Sequence, residues 1–178
     1  MSRDFDSFVR DAVSGAEHTR KFDPQREIAT WQRKLDELFG IARDGLAPFI
    51  EAGTVGFTLE PVTMREQLLG SYEAQRARIV IGGSVAELKP IGTMIVGSRG
   101  RVDLIGAKGT ARIVLVPADT VGFTVRIKQS SSSPEPAPPP VEEWRWKLTT
   151  PPPRIAYSEF SGETFKDALM EVIGGPRG

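Results

Sequence analysis

The chain has 178 residues, no Cys, one His, and 23 basic against 23 acidic side chains, and at that length one compact domain buries roughly 70% of its unfolded surface. The lack of Cys excludes disulfides, thiol nucleophiles and Cys-based zinc sites, and with no signal-like start and no run of ~20 apolar residues the expectation is a cytoplasmic protein outside the membrane. The zero net charge conceals a division, with 9 basic and 13 acidic residues in 1–75, 12 and 6 in 76–154, and 2 and 4 in 155–178, which favours either a local basic field or acidic helices lying near a basic sheet.

Phe5, Phe8, Val9, Ala12, Val13 and Ala16 recur at three- and four-residue spacing and predict a short amphipathic helix. A stronger one follows, capped by Asp23 and opened by Pro24, with Ile28, Trp31, Leu35, Leu38 and Ala42 as its apolar stripe. Gly40, Gly45 and Pro48 weaken its far end and predict a break near Gly45. Val55 to Glu60 reads as a strand stopped by Pro61, and Thr63-Met64-Arg65-Glu66 has the spacing of a capping box for a brief helix ending near Gly70.

From Arg76 to Arg154 the pattern is that of a β-meander. Arg78 to Ile81, Met94 to Val96 and Arg101 to Ile105 each run into Gly-bearing turns at hairpin spacing. Arg112 to Val116 is apolar on both faces, as in a central strand covered on both sides, and one of the helices is expected over part of its second face. Phe123, Val125 and Ile127 alternate with Arg126 and Lys128, and Trp144, Trp146 and Leu148 alternate with Arg145 and Lys147. Between these two patterns, residues 129–140 are Ser- and Pro-rich and read as a flexible, partly polyproline loop, with Pro-x-x-Pro spacing at Pro136 and Pro139. The chain closes with a helix that Ser161 caps, that Phe160 and Phe165 staple, and whose stripe is Phe165, Ala168, Leu169, Val172 and Ile173.

The fold expected is therefore α+β. It is a single domain, 1–178, made of a helical region over 1–52, a curved antiparallel meander of about six to eight strands over 54–158, and a closing helix over 161–174. In element order, a meander ended by an amphipathic helix resembles pleckstrin-homology-like and helix-grip domains, without a motif of either.

Chemistry-bearing constellations are sparse. His18 stands without a partner near a helix end, where an exposed His is favoured by the helix carboxyl terminus. No His-rich cluster is present, the adjacent acids Asp36-Glu37 and Glu142-Glu143 diverge on regular elements, and no metal or cofactor is expected. Gly106-Ala107-Lys108-Gly109-Thr110 lacks the order and spacing of a phosphate loop and falls between strands. Trp144 and Trp146 read as core, by their alternation with Arg145 and Lys147.

If the apolar set of the meander faces a core, its other face carries Arg101, Arg126, Lys128, Arg145 and Lys147, opposed by Asp103. Two non-catalytic functions follow. One is an interaction or adaptor module that engages a protein partner or its own copy through the Ile28 to Ala42 helix and the Pro-rich loop. The alternative is a binder of a phosphate-bearing ligand, nucleic acid included, on the basic residues of the sheet.

Overall fold

The computed structural model describes residues 5–7, 9–10, 22–93, 98–121 and 140–174. Residues 5–7 and 9–10 are helical, with Phe5 73% exposed, and the rest of the short helix expected there, His18 included, lies outside the described residues. So do the expected strands at Met94 to Val96 and Phe123 to Lys128, and the Pro-rich segment apart from Pro140.

The first long helix, α1, spans Pro24–Glu51. Asp23 caps it through Oδ1, which accepts from the amides of Gln25 at 3.0 Å and Arg26 at 3.4 Å. Ile28, Trp31, Leu35, Leu38 and Ala42 are all buried, so the stripe read from spacing faces the core. The break expected near Gly45 does not occur. A Cβ on Gly45 would stand 2.8 Å from Cα of Gly162, so glycine there lets α1 touch the start of the closing helix. This packing outweighs a propensity cost of about 1 kcal/mol. Pro48 sits close enough to the end to forfeit one helical bond, and the amide of Ala52 still reaches its carbonyl at 3.1 Å.

Seven strands follow: β1 Val55–Glu66, β2 Gly70–Ile81, β3 Ser84–Gly92, β4 Arg101–Gly106, β5 Gly109–Pro117, β6 Trp144–Thr149 and β7 Tyr157–Glu159. They form one open antiparallel sheet in sequence order. The fold is thus α+β with an antiparallel meander.

Two local expectations are corrected in β1. Pro61 lies inside the strand, which is possible because β1 is an edge and one of its sides needs no donor. Thr63 to Glu66 is strand, paired with Ser71 to Glu73 and Gly70, and not a capped helix. Before Ala77, over residues 70–76, β2 pairs with β1 alone and has not yet met β3. Buried positions then change from odd (Val55, Ala77, Ile79) to even (Met64, Tyr72, Ala74) with no break in register. Two-stranded ribbons twist more than wide sheets, and the free ribbon turns its other face to the core.

The closing helix, α2, spans Gly162–Gly174. Ser161 Oγ accepts from the Thr164 amide at 3.2 Å, and Thr164 Oγ1 accepts from the Ser161 amide at 2.9 Å. Phe160 and Phe165 pack with ring centres 5.6 Å apart, as the staple predicts. Both helices lie on one side of the sheet, in one cluster with Leu88, Leu104, Ile113, Leu115 and Trp146. The expected helix over the second face of β5 is therefore not found among the described residues. Val114 and Val116 are buried there all the same, with Val114 in register between Arg101 and Lys147.

Candidate ligand-binding face

Placing both helices on the inner side leaves the outer face of the sheet to the residues that alternate with the core. Register sets them in rows. Lys89, Asp103, Arg112, Thr149 and Tyr157 are successive cross-strand partners from β3 to β7, and Arg101, Val114, Lys147 and Glu159 form the next row. Arg76 and Arg78 continue the face on β2.

Of the five cations named from the sequence, Arg101, Arg145 and Lys147 fall on this face, and Arg126 and Lys128 lie outside the described residues. Alternation predicts their side of the sheet correctly. Their availability differs. Arg101 is bidentate to Asp103, with Nε to Oδ1 and Nη2 to Oδ2 both at 2.8 Å. Lys147 is buried: its Nζ donates to the carbonyls of Ala118 and Thr120, both at 2.7 Å, and pairs with Glu159 at 3.3 Å. Arg145 is exposed, and its Nη1 turns back to the carbonyl of Glu142 at 2.6 Å. Arg101 and Lys147 thus serve as internal clips, which corrects the picture of five open cations.

Three residues not singled out by sequence take their place. Arg78, Lys89 and Arg112 are exposed on this face and make no ion pair among the described residues. Their signal was present, since Arg78 precedes Ile79, Lys89 follows Leu88, and Arg112 precedes Ile113. The acids of the face are engaged elsewhere. Glu60 and Glu87 hold Arg76 at 2.9 and 3.1 Å, which raises its pKa, the Glu60 hydrogen bond first. Asp103 holds Arg101, and Glu159 holds Lys147.

A second polar cluster sits at the far end of the β1–β2 ribbon. Glu66 accepts from the Tyr72 hydroxyl, from the Thr93 amide and from Thr93 Oγ1 at 2.8 Å. Burial, with the Glu66 carboxylate beside it, pushes the Tyr72 phenol far above its ordinary range. The buried Trp31 indole N–H, which has no hydrogen-bond partner among the described residues, opposes that rise. These bonds tie the ribbon to the end of β3 and account for the cluster as structure.

The aromatic pair of β6 is core. Trp146 lies 5.9 Å from Trp31, ring centre to ring centre, and Arg99 covers Trp144 at 5.4 Å. Among the described residues no group of three or more His, Asp or Glu is arranged to hold a metal ion. No helix among them is long and apolar enough to cross a membrane.

No family model, no curated protein and no solved structure matches this chain.

Proposed function

We propose that this protein is a non-catalytic binding module that takes a phosphate-bearing ligand, nucleic acid included, on the outer face of its sheet. One observation carries the reading: the acids of that face are bound to Arg76, Arg101 and Lys147, while Arg78, Lys89 and Arg112 are exposed without an ion pair among the described residues. An uncompensated cation on an accessible surface attracts phosphate through a field that salt screens. For the alternative, an adaptor working through the Ile28 to Ala42 helix and the Pro-rich loop, the apolar stripe of the helix is buried against the sheet, and the loop apart from Pro140 lies outside the described residues.

Retention on a phosphate-mimicking heparin column tests the reading. Wild type should be held at low salt, and Arg78→Glu with Lys89→Glu should elute well before it, both proteins having the same circular dichroism. Single-stranded and duplex oligonucleotides then separate a polymer ligand from a small one. Identical elution of the two proteins, or binding that survives salt sufficient to screen exposed charges, would point to a protein partner on this face instead.

A further inference from the structure

The outer-face row that runs from β3 to β7 ends on an aromatic ring. Lys89, Asp103, Arg112, Thr149 and Tyr157 are successive cross-strand partners, so their side chains leave the sheet on one side. Neighbouring strands stand about 4.8 Å apart, which roots Lys89 about 10 Å from Arg112, and Arg112 about 10 Å from Tyr157. Lys89 and Arg112 are exposed, and Thr149 and Tyr157 are half-buried. None of these four side chains makes an ion pair or a hydrogen bond among the described residues.

The acids nearest the row are already occupied. Asp103, between Lys89 and Arg112, is buried and bound at both oxygens by Arg101, and Glu159, in the next row beside Tyr157, holds Lys147. Arg78, in register with Glu87, extends the cationic part of the face by one more strand, while Glu87 itself is held by Arg76. Cations rooted about 10 Å apart on an open face suit a ligand that repeats its phosphates. Tyr157 then separates one repeating phosphate from another. An aromatic ring beside a cationic track holds a base by its flat face, and this requires a base that is not already stacked and paired within a duplex.

We infer that the outer face binds single-stranded nucleic acid laid across the strands, with its phosphates on Lys89 and Arg112 and a base stacked on Tyr157. The inference rests on the phosphate-binding reading of this face and narrows the ligand to one that carries unpaired bases. Thr149, between Arg112 and Tyr157, adds a hydroxyl where the sugar-phosphate backbone passes from cation to ring.

Fluorescence anisotropy with a labelled oligothymidine of about twelve nucleotides, an abasic strand of the same length and a duplex tests it. Wild type should bind the oligothymidine about tenfold more tightly than the abasic strand, the scale of one base stacked on an aromatic ring. Tyr157→Leu should remove that preference and leave the affinity for the abasic strand unchanged, and Tyr157→Phe should keep the preference. Arg112→Gln should weaken both strands. Equal affinity of wild type for the two strands, a preference that survives Tyr157→Leu, or a duplex bound as tightly as the oligothymidine would overturn the inference. In that event, salt-sensitive heparin retention that depends on Arg78 and Lys89 would leave the outer-face reading standing. Loss of that retention as well would remove both.

Discussion

The indole N–H of Trp146 donates to the backbone carbonyl of Lys34 across 2.8 Å, joining the middle of β6 to α1. The same helical residue returns the contact, its buried Nζ reaching the Trp144 carbonyl at 3.4 Å and Glu37 at 2.9 Å. A ring held this way is a structural pin and not a stacking platform. Trp146→Phe keeps most of the apolar surface and removes the donor, so it should cost about 1–3 kcal/mol. Denaturant unfolding measures this, and a loss no larger than that of an exposed substitution would mean the bond contributes nothing.

Gly40 and Gly45 sit on the same helix and should respond to alanine with opposite signs. A Cβ on Gly40 meets nothing within 4 Å, so Gly40→Ala should stabilise by about 0.5–1 kcal/mol through reduced backbone entropy. At Gly45 the new methyl would meet the backbone of Gly162, and overpacking of this kind costs about 1–3 kcal/mol. Thermal unfolding of the two variants side by side isolates the helix contact from propensity, and a rise in Tm for both would refute the close approach of α1 and α2.

Lys147 and Arg112 stand one row apart on the outer face, yet they should behave as different kinds of residue. Lys147→Met leaves the carbonyls of Ala118 and Thr120 without their donor and should destabilise by about 1–3 kcal/mol. Arg112→Gln touches an exposed side chain and should stay within about 0.5 kcal/mol of wild type. Urea titration distinguishes them. Equal stability of the two variants would return Lys147 to the set of open cations.

The parts legible from sequence are those governed by local periodicity. Alternation placed Trp144 and Trp146 inward and Arg145 and Lys147 outward, and spacing alone identified the cap and staple of α2. What escaped depends on partners distant in the chain. Gly45 looks like a breaker until Gly162 packs on the helix, and Pro61 looks like a strand end until β1 proves to be an edge. The strand β3 is hidden because the Gly82-Gly83 turn precedes it directly, Pro90 interrupts it, and only Ala86 and Leu88 mark its apolar face clearly. Side of the sheet was readable, but availability was not. The groups that occupy Lys147 come from Ala118, Thr120 and Glu159, none of them local to β6.

Tyr72 should remain protonated well into the alkaline range. Its phenol is buried at the end of the β1–β2 ribbon and donates to Glu66, so ionisation would place two negative charges together in a poorly solvated site. A folded-state pKa above the unfolded value of about 10 means that the neutral phenol stabilises the fold fully below that pH. Above it the unfolded chain loses the proton first, and that share of stability falls as pH rises toward the folded-state value. Tyr72→Phe should therefore flatten the decline of stability above about pH 10, at the cost of the Glu66 bond at neutral pH. Ultraviolet titration of the phenolate in a Tyr157→Phe background reports Tyr72 alone. Ionisation near pH 10 in the folded protein would show that the phenol is solvated and that the ribbon does not turn this face to the core.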